Sequence, residues 1–349
     1  MTRILSAIVA VAGLTGFACS LPNATLEADA PELVTWSAHT ANDETVDASA
    51  PEAGPVRPSS CDDPPGTTRK DQVCRRWSCE AYDAATTPRW NGATTACQAG
   101  EIDTDSVERA LRLLNVRRFM AGLEPVRLET SWTDAAQQCA LIAHANQKLS
   151  HTPPPTWECW SDLGALTSSV SLVANRSAAP SIAAFFEDPG NESTMTHRRW
   201  LLSQQLESVG IGSTDRYACI VIDGRPLDTA RGRKNARSER ASRAGVRTWA
   251  AWPPPGPVPI GVFDLERLDE MGWTIQSDTD ELERATVKVT ESGALLPVKV
   301  ERLTAGYGST SALRFMPDGW RTEADRTYRV SVAGTRTPID FTVEPTVCP

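Results

Sequence analysis

His197-Arg198-Arg199-Trp200-Leu201-Leu202 is the stretch on which the reading of the chain turns, and Leu149-Ser150-His151-Thr152-Pro153-Pro154 upstream is its counterpart. The whole sequence holds 4 His, and two of them fall in these segments. Between them lies Phe185-Phe186-Glu187-Asp188-Pro189-Gly190-Asn191, which reads as a helix end with adjacent carboxylates. Two imidazoles and a carboxylate suit either a divalent metal or acid/base work. Taken singly, each histidine also suits a ring satisfied inside a core.

Outward from these segments the apolar spacing predicts three helices. The first starts near Asp105, with Glu108 three residues on as a capping-box partner. Val107, Ala110, Leu111, Leu114 and Phe119 repeat at helical intervals, and Gly122 ends the run. A second helix is expected over 133–147, with Ser131 and Asp134 as start signals. Its Ala135, Ala136, Cys139, Ala140 and Ala143 form a small-residue face suited to close packing. A third, over 181–187, has Pro180 at its start and stops at Asp188-Pro189-Gly190. Short apolar runs at 208–212, 217–222 and 248–252 read as strands of one small sheet.

The run Ala110-Leu111-Arg112-Leu113-Leu114-Asn115-Val116-Arg117-Arg118-Phe119-Met120-Ala121-Gly122-Leu123-Glu124-Pro125-Val126, the alanine-rich helix, the His151 and His197 segments and Val209-Gly210-Ile211-Gly212 occur in an order that resembles the bacterial branch of the CAP superfamily (SCP domains). The resemblance covers roughly residues 101–257 and implies an α-β-α sandwich. It also implies a cavity site of two histidines and two acids, onto which His151, His197 and either Glu187 or Asp188 map. The second family acid sits in a Gly-Glu-Asn-Ile-Ala pattern, and here the place reads Ser169-Val170-Ser171-Leu172-Val173. Without that glutamate, His151, Asp188 and His197 remain as ligands for a weakly bound divalent ion such as Zn²⁺.

Flanking segments give the expected organisation. Residues 1–18 read as a secretory signal, with Arg3 ahead of an apolar stretch. Cys19 follows Gly16-Phe17-Ala18 and reads as a lipidation site, which would tether the mature chain to an envelope membrane, with the outer membrane or cell surface as its place. Residues 19–60 are acidic and poor in apolar side chains, as a disordered linker is. Residues 61–100 read as a cysteine-containing loop region. Residues 258–349 alternate over 286–290, 296–300, 313–316, 328–332 and 339–343, which predicts an Ig-like β-sandwich. The overall class is therefore α+β, a CAP-type sandwich followed by an all-β one.

Of 9 Cys, eight remain if Cys19 carries lipid, an even number that suits disulfides in an oxidising compartment. Cys139 with Cys159 is the expected pair, which would pin the His151 loop to the second helix. Cys79 with Cys97 and Cys219 with Cys348 follow.

The net charge of -9 argues against nucleic acid. The stretch 225–247, from Arg225 to Arg247, reverses that sign with eight Arg or Lys and only Asp228 and Glu239 as acids. It reads either as a solvated loop or as a patch for an anionic glycan or lipid. There is no His-Glu-x-x-His, no phosphate-binding loop, and Gly306-Tyr307-Gly308-Ser309 is no nucleophile elbow. Two functions stay open: an exported lipoprotein whose CAP module binds a lipid, glycan or protein without catalysis, and a metal-dependent hydrolase of peptide or cell-wall material. The missing glutamate favours the first.

Overall fold

Four helices and a four-stranded sheet make the first layer system of the computed structural model, which describes residues 67–81, 88–230 and 247–349. Helix α2 spans Thr104–Met120. Its cap is Asp103, not the expected Asp105. Asp103 Oδ1 accepts from Ser106 N at 3.0 Å and Oδ2 from Ser106 Oγ at 2.9 Å. A short side chain followed three residues later by a hydroxyl satisfies the first-turn donors as well as an Asp/Glu box does. Helix α3 spans Thr130–Asn146, three residues ahead of the expected start, because the Glu129 side chain caps Ser131. Helices α4 (Asp162–Ser169) and α5 (Ala178–Glu187) complete the set, with Pro180 inside the first turn of α5.

The sheet runs β1 (Arg127–Leu128), β3 (Ser208–Ser213), β4 (Ala218–Val221), β2 (Ser171–Ala174). Pairing alternates its side chains between two covers. Val209, Ile211, Ala218, Ile220, Leu172 and Ala174 pack with α2 and α5. Cys219, Val221 and Val173 pack with Ala135, Ala136, Cys139 and Ala140 of α3 and with α4. This is an α-β-α arrangement. Gly212 shows why the α3 cover is tight: a Cβ there would overlap the backbone of Ala136 and Gln137.

The strand at 248–252 does not join this sheet. As β5 (Trp249–Trp252) it pairs antiparallel with β7 (Trp273–Ser277), in a second sheet ordered β10 (Val298–Arg302), β11 (Ser311–Pro317), β7, β5. A third sheet runs β6 (Gly256–Pro259), β13 (Ile339–Thr346), β12 (Tyr328–Ala333), β8 (Thr286–Glu291), β9 (Ala294–Leu296). The C-terminal sheets therefore take β5 and the start of β6 from before residue 258. Trp249 lies 5.1 Å from Phe341 and Trp273 lies 5.7 Å from Tyr328, centroid to centroid, so the two sheets share one apolar interior. The described residues fall in one compact unit. The basic stretch begins as helix α7 (Arg225–Ala230) and leads from the first sheet to the second; its residues 231–246 lie outside the described ones.

Residues 61–100 are not all loop. Arg69–Ala81 form helix α1, in which Val73, Cys74 and Trp77 recur on one face. It lies on α2, where Arg69 and Arg76 stack on Phe119 at 4.0 and 3.7 Å. The disulfides also differ from expectation. They are Cys74–Cys348, Cys97–Cys159 and Cys139–Cys219, with Cα separations of 5.4, 5.0 and 6.1 Å. Cys139 faces β4 inside the α3 cover and therefore meets Cys219. Cys159, at φ 56°, turns outward to Cys97. Cys79 is also disulfide-bonded, but not to Cys97. Cys19 and the whole of 1–60 lie outside the described residues.

Candidate functional site

The chain leaves α5 through Asp188, whose left-handed backbone (φ 62°) turns its carboxylate inward, where it is fully buried. Helix α6 (Thr196–Leu201) then places His197 and the backbone N–H of Arg198 against it. His197 Nδ1 donates to Asp188 Oδ1 at 2.8 Å, Asn191 Nδ2 donates to the same oxygen at 2.9 Å, and Arg198 N donates to Oδ2 at 3.1 Å. The imidazole packs on Phe185 at 4.7 Å. Both carboxylate oxygens are committed to protein donors, so Asp188 acts as the cap of a turn that holds His197 in one orientation.

The two arginines of the same motif are joints to the C-terminal sheets. Arg198 donates to the carbonyls of Phe186, Glu187 and Gly272 at 2.6, 3.2 and 2.7 Å. Arg199 donates to those of Thr194, Thr304 and Ser309 at 3.0, 2.7 and 3.0 Å, and to Gly306. Burial lowers both guanidinium pKa values to about 10, and Asp188 works against that shift at each. The segment that reads as chemistry in the sequence is in large part a structural connection.

His151 belongs elsewhere. It is exposed, and its Nδ1 meets Ser168 O of α4 at 3.0 Å. Ser168 Oγ in turn reaches Cys139 of α3 at 3.3 Å. His151 is thus bonded to α4, while His197 is bonded to the turn that closes α5. Among the described residues no three His, Cys, Asp or Glu side chains come together so as to hold a metal ion. Of the expected metal set, Asp188 and His197 lie side by side at 2.8 Å, and His151 is bonded to a different element, α4. At the position of the family glutamate, Val170 packs against the α3–α4 cluster, and its neighbours Ser169 and Ser171 bond back to Leu166 O and Thr167 O at 2.7 Å each. No carboxylate stands there.

Glu187 and Asp188, interchangeable in sequence, point to different places. Glu187 lines a cavity of about 570 Å³ between α1, α2, α5 and residues 261–264, together with Arg109, Arg117 and Asp264. Arg117 is buried, and burial lowers its pKa to about 10, with Glu187 acting in the opposite direction. Sequence reasoning passed over this cavity. Its signal was a charge inside the apolar stripe of α2, since Arg117 stands four residues after Leu113. His144, which sequence left without a role, sits between Trp90 and Tyr217, at ring distances of 5.1 and 5.5 Å. Burial lowers its pKa and Asp215 partly opposes this.

Residues 111–219 match the family model described as the cysteine-rich secretory protein family, CAP. Among solved structures the chain is similar to an extracellular protein containing a SCP domain from Bacillus anthracis str. Ames, at 18% identity and a TM-score of 0.27. That match covers 34% of this chain and 40% of the other, so the chain spans less than half the length of that protein. No curated protein matches.

Proposed function

We propose that the CAP-type domain at residues 111–219 is a noncatalytic binding module of an exported, envelope-tethered protein. The observation that carries this reading is the fate of the residues expected to do chemistry. Asp188 is buried and takes three protein donors, His151 bonds α4 while His197 bonds the end of α5, and Val170 occupies the place of the glutamate. The residues present do not fit a shared metal ion, so no hydrolytic step is derived through one. Three described disulfides suit an oxidising, extracytoplasmic compartment.

The ligand is of the lipid, glycan or protein class, and the tether is lipid on Cys19. The basic segment 225–247 supplies a further surface for an anionic glycan or lipid.

Calorimetric titration of the full chain with Zn²⁺ tests the noncatalytic reading, and no stoichiometric heat is expected. A one-to-one site lost in both His151→Ala and His197→Ala would replace this reading with the metal-dependent hydrolase.

A further inference from the structure

Among the described residues five arginines are buried, and four of them are well supplied with acceptors, Arg314 by Glu301 and the carbonyl of Met271. Arg118 donates to the carbonyls of Glu124, Leu201, Ser203 and Leu206 at 2.9, 2.7, 3.0 and 3.2 Å. Arg198 and Arg199 are likewise spent on main-chain oxygens. Arg117 is the exception. Its relative exposure is 2%, yet its guanidinium makes one hydrogen bond, from Nη1 to Leu113 O of its own helix at 3.0 Å. Its Nε is buried without an acceptor. Trp77 and Phe186 lie against it at 5.3 and 5.5 Å, and such ring contacts stabilise the charge without using its in-plane donors. A buried guanidinium with most donors unspent costs folding free energy.

Arg117 lines the cavity of about 570 Å³, a size within the range of about 300–1,000 Å³ usual for small-molecule sites. Glu187 lines the same cavity and takes no side-chain hydrogen bond or ion pair among the described residues. Arg117 and Glu187 therefore face one space without pairing with each other, beside a second cation, Arg109, that has a partner of its own. The wall around them includes the apolar side chains of Leu113, Ala183, Val262 and Phe263. The other acid there, Asp264, is committed as the cap of helix α8 (Leu265–Met271), where it accepts from Arg267 N at 3.0 Å.

We infer that this cavity binds a small zwitterion, a free α-amino acid with an apolar side chain. Its carboxylate would take the open donors of Arg117, its ammonium would face Glu187, and its side chain would lie on Leu113, Val262 and Phe263. A plain anion would meet Glu187 as a like charge, and a plain cation would leave Arg117 unsatisfied. Both charges are matched only when the ligand carries both. The inference is independent of the His151 and His197 reading, because none of those side chains lines this space.

The test uses the full chain, calorimetry and the twenty L-amino acids as probes, with N-acetyl-leucine and leucinamide as controls. An apolar amino acid is expected to bind, and each control to bind at least about tenfold more weakly, as the loss of one charge-assisted contact implies. Arg117→Met should lose the same factor, Glu187→Gln should erase the preference for the free amine, and Ala183→Phe, which fills the cavity from its half-buried wall, should abolish binding. If Arg117→Met does not fold, the other two variants still decide. The inference is overturned if no amino acid binds at about 10 mM, where even millimolar affinity gives saturation. It is equally overturned if N-acetyl-leucine binds as well as leucine, or if binding survives Ala183→Phe.

Discussion

Arg117 and Arg118 are consecutive on one helix, both buried, and differ almost wholly in what their guanidinium groups reach. Their replacement by methionine separates the cost of a satisfied buried charge from that of an unsatisfied one. Arg118→Met removes donors from four carbonyls, three of them in the 201–206 segment that leads from α6 to β3. Each buried acceptor left unpaired costs about 1–3 kcal/mol, moderated where water can enter. Because Glu124 O is only partly buried, the loss should be about 3–5 kcal/mol, similar to breaking a buried ion pair. Arg117→Met removes a single bond to its own helix while releasing a desolvated charge. Methionine keeps the stem's packing against Trp77 and Phe186, so this change should be neutral or stabilising by about 1 kcal/mol. The assay is denaturant unfolding of the oxidised full chain, read as the midpoint at unchanged slope. Equal destabilisation by both substitutions would refute the distinction between the two sites.

Other consequences are direct. Cys139→Ala with Cys219→Ala should cost about 4–5 kcal/mol in the chain-entropy model, given a sequence separation of 80. Peptide mapping should recover Cys97 linked to Cys159, and a Cys139–Cys159 peptide would contradict the fold. The His144 pKa is lowered in the folded state, so its neutral form is favoured there. Stability is then fully present above the ordinary histidine pKa of about 6.5 and falls as pH drops below it, because the unfolded chain takes up the proton first. His144→Gln should flatten the stability profile just below about pH 6.5 relative to the unsubstituted chain; an unchanged slope would remove His144 as its source. Cys19→Ala should release the protein from membranes or block its processing, and unchanged partitioning would reject the lipid tether.

The sequence carried the local pattern well and the long-range pairing poorly. Val107, Ala110 and Leu114 announced α2, and the alanines of α3 announced a close approach that Gly212 completes. Alternation at 286–290, 328–332 and 339–343 matched strands β8, β12 and β13. Periodicity is a property of neighbouring residues and survives any tertiary arrangement. Sheet membership is not. The 248–252 segment reads as a strand in isolation, and only its pairing with β7 assigns it to the C-terminal sheets. Helix α1 escaped notice because its Arg69, Lys70, Arg75 and Arg76 mask a narrow apolar face that exists to meet α2 and β6.

Cysteine parity was likewise correct in suggesting disulfides and silent on connectivity, which depends on the direction each Cβ takes from its helix or turn. The histidine pair meets a related limit: two motifs in the right order say nothing about which element each side chain joins, α4 for His151 and the end of α5 for His197. Arg117 was visible as a charge within an apolar stripe, yet little local separates it from Arg118, three of whose four acceptors lie more than 80 residues on.

The central proposal is that His151 and His197, bonded to different elements, act independently and do not form one reactive centre. It is tested most directly by side-chain nitrogen NMR of the full chain during Zn²⁺ titration, with the two imidazoles assigned from His151→Gln and His197→Gln. The account predicts no joint change of the two rings at one equivalent of metal, and a His197 Nδ1 that remains protonated and bonded to Asp188. Simultaneous, saturable shifts of both rings at one equivalent, each abolished by substituting the other histidine, would contradict it.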